Sequence, residues 1–157
     1  MAEVKPAAIV ALSVEPRVGS NYPRGLAEAV AGRAKRVLGD RFGLDQYGVN
    51  HVTLAPGAAS AHRHWHERED EFVYVLDGVI TLKDNAGEHR LTAGMCAGFK
   101  AGVPNGHCLV NKSEAPATYL EIGTRSPDEK ASYPDVDLRA EKKDFKWSFT
   151  RKDGSAY

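Results

Sequence analysis

Between residues 46 and 124 the chain is a succession of short apolar runs separated by turn residues, spaced roughly ten apart. Gln46 to Ala55 alternates in side-chain character and stops at Pro56-Gly57. Ala61 to His66 predicts a second short strand. Phe72 to Leu76 is apolar at every position, which predicts a strand buried on both faces and ended by Asp77-Gly78. Val79 to Lys83 and Glu88 to Leu91 flank the turn Asp84-Asn85-Ala86-Gly87 and read as a hairpin. After Ala93-Gly94 come Met95 to Phe99, then a Gly/Pro loop from Ala101 to Gly106. His107 to Asn111 and Thr118 to Gly123 follow, joined by a polar turn at 112–116. No long helical period interrupts this series. A chain built this way is all-β and must close its core as a sandwich or a barrel.

The flanks read differently. Residues 1–45 form an N-terminal arm and flanking strands. The arm is punctuated by Pro6, Pro16 and Pro23, with an edge strand expected at Ala8 to Leu12. Leu26, Ala27 and Val30 predict a helical turn near 24–31, with a strand near 33–38. Residues 125–157, rich in charge and broken by Pro127 and Pro134, predict an irregular tail on the barrel of residues 46–124. Phe145, Trp147 and Phe149 fall on one side of an extended segment and are expected to clip that tail to the body. A chain of 157 residues fits one domain.

Lys plus Arg equals Asp plus Glu, at 21 each. This excludes a broad nucleic-acid or anionic-membrane surface. The basic stretch 24–41 and the acidic stretch 67–88 read as solvated faces. No apolar run approaches the ~20 residues of a membrane span, and no secretion signal opens the chain, so a cytoplasmic protein is expected. Two cysteines, Cys96 and Cys108, are too few for a disulfide framework.

The chemistry concentrates at His62-Arg63-His64-Trp65-His66-Glu67-Arg68-Glu69-Asp70-Glu71. His64 and His66 are two apart on an expected strand and point to one face, with Trp65 on the other. Glu71 opens the next run after the four-residue connection 67–70. A hairpin there would carry its carboxylate back beside the two imidazoles. Such a set suits Zn, Fe, Mn, Co, Ni or Cu without choosing among them. His107, opening a strand after the Gly/Pro loop, is the best fourth ligand, with Val75 and Leu109 packing below. His51 and His89 read as structural or exposed, and Cys108 as a small packed hydrophobe. On the strand 118–123, either Tyr119 with Glu121 or Leu120 with Ile122 faces inward. The first choice makes Glu121 a candidate general acid or base. Lys100 and Arg125 lie near strand ends, where an anionic substrate group could meet them.

These residues also carry a family resemblance. Gly57, six residues, His64-x-His66, four residues, Glu71, six residues, Gly78 resembles the first cupin motif with one extra residue before the histidine pair. Gly98, five residues, Pro104-x-Gly106-His107, three residues, Asn111 resembles the second. The short segment between them, 79–97, is like that of single-domain prokaryotic cupins. The resemblance implies a double-stranded β-helix, or jelly-roll barrel, with one divalent metal ion per chain in its mouth. It implies His64, His66, Glu71 and His107 as ligands, and Gly78, Gly98, Pro104, Gly106 and Asn111 as turn and packing positions. Two departures leave alternatives. His107 follows Gly106 directly, and His62 offers a second His-x-His pairing with Glu69 as its alternative carboxylate.

Small bacterial cupins with a similar HWH and EDEFVYVL run and a similar FTRKDG tail are labelled sugar-phosphate isomerases. The resemblance therefore implies a metal-dependent enzyme on a small oxygenated metabolite. A dioxygenase and a metal-dependent binding or sensor module without turnover are the alternatives. No Gly-rich loop opening a helix offers a phosphate cradle. The expected partners are a small molecule and a second copy of the chain, paired through the arm and the aromatic tail, with no nucleic acid and no membrane.

Overall fold

The computed structural model describes residues 5–157. Its strands are β1 Arg17–Val18, β2 Arg33–Val37, β3 Tyr47–Leu54, β4 Trp65–His66, β5 Glu71–Asp77, β6 Val79–Asp84 and β7 Gly87–Thr92. They continue as β8 Cys96–Phe99, β9 Cys108–Val110, β10 Ala117–Thr124, β11 Glu129–Ser132, β12 Arg139–Lys143 and β13 Lys146–Thr150. The helical content of the described residues is three short 3-10 turns, at Ala11–Ser13, Ala27–Val30 and Gly39–Phe42. No helix among them is long and apolar enough to cross a membrane.

Three antiparallel sheets form. The largest has the order β1-β2-β3-β10-β5-β8, the smallest β7-β6-β9, and the third β13-β12-β11-β4. The pairing of β3 with β10 joins segments far apart in sequence and stays in register from Leu54–Ala117 to Tyr47–Thr124. This is the jelly-roll arrangement that the resemblance implies. The three sheets are not closed into one continuous hydrogen-bonded ring.

The chain steps from the large sheet to the small one at Gly78. Its φ is +79°, and a Cβ there would sit 2.9 Å from Ala117 Cα. Only glycine satisfies both the left-handed backbone and that close approach. Between the sheets lie Val52, Leu54, Val73, Val75, Ile80, Leu82, Leu91, Leu109, Ala117 and Tyr119. Each fully buried aliphatic side chain of this type stabilises the fold by roughly 1.5–3 kcal/mol. Asn111 is fully buried behind the small sheet. Its amide donates to the Leu54 and Ala115 carbonyls while its Oδ1 accepts from Ser113 N and Oγ, which closes the turn before β10.

Several expectations are corrected. Ala8 to Leu12 is not a strand; the edge strand is Arg17–Val18, paired with β2. β5 is not buried on both faces. Val73 and Val75 point inward, but Phe72, Tyr74 and Leu76 are each about 40% exposed on the outside of the large sheet. The C-terminal segment is more regular than expected, since β11, β12 and β13 add to β4 as a sheet. A second apolar cluster of Ala131, Tyr133, Leu138 and Ala140, with Tyr22, Leu26 and Phe149 against it, holds that sheet to the arm. The strand alternation there is carried by Glu129, Ala131, Ala140 and Lys142, all buried, so charged residues occupy inward positions. Trp147 and Phe149 share a face of β13, but Phe145 sits in the preceding turn at φ +63° and is exposed.

Candidate metal centre

The site begins with a backbone contact. His64 and His107 face each other as an isolated antiparallel bridge, His64 N donating to His107 O at 3.1 Å and His107 N to His64 O at 2.9 Å. Directly opposed residues in such a bridge place their side chains together. Two histidines 43 positions apart thus become neighbours, with ring centroids 5.4 Å apart. Gly106, just before His107, permits the crossing, because a Cβ there would meet Pro134 Cγ at 2.9 Å.

His66 follows on β4, its ring 4.9 Å from that of His64. Glu71 arrives from a different sheet, which corrects the hairpin expectation. β4 pairs with β11, whereas β5 pairs with β10 and β8. The connection 67–70 crosses between sheets instead of turning back. Its shape is fixed from outside: Glu129 accepts from the backbone N–H of Glu67 and Arg68, Asp70 N donates to Thr124 Oγ1, and Asp70 Oδ1 accepts from Ala101 N.

The ligand atoms of His64, His66 and Glu71 all lie within 4.8 Å of one another. His107 joins them through Glu71, its Nε2 being 2.9 Å from Glu71 Oε2, while His66 Nε2 is 3.7 Å from the same oxygen. Backbone carbonyls orient two of the rings. His64 Nδ1 donates to His62 O at 2.9 Å and His107 Nδ1 to Asn105 O at 3.2 Å. With the proton on Nδ1, the Nε2 lone pair of each ring is free to bind a metal. Phe99 stacks on His107 at 3.5 Å and Tyr133 on His64 at 5.4 Å, which locks both planes.

The donor set fits a cation. A neutral imidazole carries one N–H. His107 faces two acceptors, the Asn105 carbonyl and the Glu71 carboxylate, so one contact lacks a proton unless the ring is charged. A divalent ion accepting both Nε2 and the carboxylate removes that conflict. Burial lowers His64 from 6.5 to about 4, against the pull of Glu71, and so keeps it neutral. For Glu71, burial acts upward, yet the close approach of His107 and the neighbouring imidazoles hold it well below the usual carboxylate range. These are the protonation states a metal ligand needs.

A second group, His66, Glu69 and Glu129, is equally tight. Its carboxylates are already engaged. Glu129 takes the backbone N–H of Glu67 and Arg68, and Glu69 takes Lys142 and Ser126 N. His62, the other alternative, points away and bonds Leu26 O through Nε2.

The four expected ligands open into a cavity of about 360 Å³. Tyr119 and Glu121 form the inward set of β10, and both line it. Glu121 is held by Lys35 Nζ at 2.6 Å and Asn50 Nδ2 at 2.9 Å. Lys100 and Arg125 do not reach this cavity: Lys100 lines a neighbouring hollow, and Arg125 bonds Asp40 and Leu44 O. The cations present are instead Arg33 and Lys35, on β2. They belong to the stretch read from sequence as a solvated basic face. Their i, i+2 spacing on a short strand is the signal that places both on one side. Tyr22 from the arm and Tyr133 and Trp147 from the C-terminal sheet complete the rim, and sequence reasoning did not place them there.

A family model described as Cupin domain matches residues 50–123. No curated protein matches the chain. Among solved structures, a sugar phosphate isomerase from a cupin superfamily, from Silicibacter pomeroyi, is similar at 49% identity over 96% of each chain, with a TM-score of 0.92. A protein from Acidithiobacillus ferrooxidans, provisionally named a sugar phosphate isomerase, is 26% identical over 85% of this chain and 84% of its own, with a TM-score of 0.76. The polyketide cyclase RemF from Streptomyces resistomycificus is 16% identical over 76% and 79%, with a TM-score of 0.63, and shares the fold alone.

Proposed function

The chain belongs to the cupin superfamily, and on that premise we propose that it is a divalent-metal-dependent enzyme of the sugar phosphate isomerase type, with His64, His66, Glu71 and His107 as the metal ligands. The observation that carries the proposal is the company those ligands keep. The same cavity holds a carboxylate braced by two donors, Glu121, and a fully buried hydroxyl with no hydrogen-bond partner, Tyr119.

A divalent ion bound there would polarise a substrate carbonyl and stabilise the enediolate that forms when an adjacent carbon loses its proton. Glu121 takes that proton and returns it to the neighbouring carbon, while the hydroxyl proton passes from one oxygen to the other, so carbonyl and hydroxyl exchange places and no electrons enter or leave. Lys35 and Asn50 fix the carboxylate for both transfers. Tyr119 stays protonated, because burial raises it well above its ordinary value, and so serves as a hydrogen-bond donor to a substrate oxygen. Phe99, Val73 and Leu109 on the wall limit water around the reacting carbons.

The test is solvent deuterium incorporation into aldose and ketose phosphates under anaerobic conditions. Incorporation at the carbon beside the carbonyl is expected. Glu121→Gln should lower it by about 10²- to 10⁴-fold, the usual worth of a positioned acid–base group. Oxygen uptake with no deuterium exchange would replace this reading with a dioxygenase. Tight ligand binding with neither would replace it with a sensor.

We also propose a homodimer. The outward-facing Phe72, Tyr74 and Leu76 on the open face of the large sheet support it. Elution as a monomer at micromolar concentration would contradict it.

A further inference from the structure

Arg33 differs from the other cations of the cavity and its surroundings. Lys35 is neutralised by Glu121 and Arg125 by Asp40. Among the described residues, Arg33 has no carboxylate partner. Its guanidinium donates only to backbone carbonyls, Ser60 O through Nη1 and Gly19 O through Nη2 at 3.4 Å. Those contacts clamp the side chain to both the arm and the loop before β4 while leaving its charge unspent. Tyr119, fully buried, lines the same cavity, and its hydroxyl, near Ser60, makes no well-formed hydrogen bond. An unsatisfied buried hydroxyl costs roughly 1–3 kcal/mol, and a ligand oxygen would repair it. Tyr22 OH and Tyr133 OH, 3.4 Å apart, belong to two more tyrosines that line the cavity, at its rim. Burial raises all three tyrosines, and Arg33 opposes that rise at each, so its field reaches every one of them.

The formal charge points the same way. The cavity lining carries Arg33 and Lys35 against Glu71 and Glu121. A divalent ion would add two positive charges that no lining residue offsets. We infer that Arg33, with the Tyr119 hydroxyl, forms an oxyanion-binding subsite for a phosphate or carboxylate group on the substrate. Guanidinium suits such a group because its planar fork matches two anionic oxygens. Part of the inference, the metal's share of the charge, rests on the isomerase reading; the Arg33 contact does not.

The experiment is calorimetric titration of the full-length protein, as purified, with inorganic phosphate and separately with acetate. His64→Ala, Arg33→Gln, Arg33→Lys and Glu121→Gln are compared with the parent. Phosphate or acetate binding is expected in the parent, and the stronger of the two identifies the substrate's anionic group. Binding should weaken at least tenfold in Arg33→Gln and partly recover in Arg33→Lys. It should tighten severalfold in Glu121→Gln, where the Lys35 charge is released. Residual binding in His64→Ala that Arg33→Gln abolishes would support the subsite even if the metal reading fails. Binding that disappears in His64→Ala but is unchanged in Arg33→Gln would overturn it and leave the metal as the anion's site. No response to Glu121→Gln together with an unchanged Arg33→Gln would overturn it independently of any folding defect.

Discussion

Two carboxylates, Glu71 and Glu129, share His66 as a neighbour, and each belongs to a tight group of three acidic and histidine side chains. They do different work. Glu129 is 2% exposed and spends its oxygens on backbone N–H groups of residues 67, 68 and 130. Its neighbour Glu69 is paired with Lys142, itself buried. That cluster is satisfied within the chain. Glu71, by contrast, faces the Nε2 atoms of His107 and His66, where the far nitrogen of His107 is given to the Asn105 carbonyl and that of His66 is buried without a partner. Its partners are donor atoms aimed at a common point with a cavity beyond. Distance alone does not separate the two groups. What separates them is whether the hydrogen-bonding capacity is used up internally.

The largest effect is expected at Glu129. Replacing it by Ala strands backbone donors of the 67–70 crossing in a buried setting, at about 1–3 kcal/mol for each unsatisfied group. Glu129→Ala is expected to lose about 3 kcal/mol in urea unfolding. A loss under 0.5 kcal/mol would show that the crossing does not depend on it.

Acid sharpens the Glu71 side. His64 titrates near 4 in the folded chain against 6.5 ordinarily, so the unfolded state binds the extra proton between those values. Stability linked to His64 is therefore complete above about pH 6.5 and is lost as the pH falls toward 4. Glu71 is also depressed, and its contribution is lost only further down, below the ordinary carboxylate range. Chelator-treated protein should be about 1–2 kcal/mol less stable at pH 5 than at pH 7, from His64 alone. Equal unfolding midpoints at the two pH values would contradict the burial assigned to that ring.

The smallest effect is expected at Tyr119. Tyr119→Phe removes a buried hydroxyl that has no partner, so stability should hold or rise by up to about 1 kcal/mol. Turnover should nevertheless fall about tenfold, the loss of one hydrogen bond to the substrate. A destabilised Tyr119→Phe with normal turnover would place the hydroxyl in an internal bond instead.

The same contrast explains what the sequence could show. Strands such as β3, β6 and β10 were readable because alternation of β-branched and aromatic residues ends at Pro56-Gly57, at residues 84–87 and around Gly123. The cupin motifs are local spacings, and the resemblance they carry implies His64, His66, Glu71 and His107 as one group. β11 and β12 were hidden because Glu129 and Lys142 occupy inward positions, where a charge reads as solvent-facing. The partnership of β4 with β11, not β5, was hidden because a four-residue connection looks the same whether it turns back or crosses between sheets. Arg33 and Lys35 were hidden for a third reason. A short strand at the barrel edge turns one face toward a cavity instead of toward a core, and only the topology reveals it.

The most direct measurement is the metal content of purified protein, by elemental analysis, for the parent, Glu71→Ala and Glu129→Gln. About one divalent ion per chain is expected in the parent, less than a tenth of that in Glu71→Ala, and close to parent occupancy in folded Glu129→Gln. Full occupancy in Glu71→Ala, or loss confined to Glu129→Gln, would contradict it.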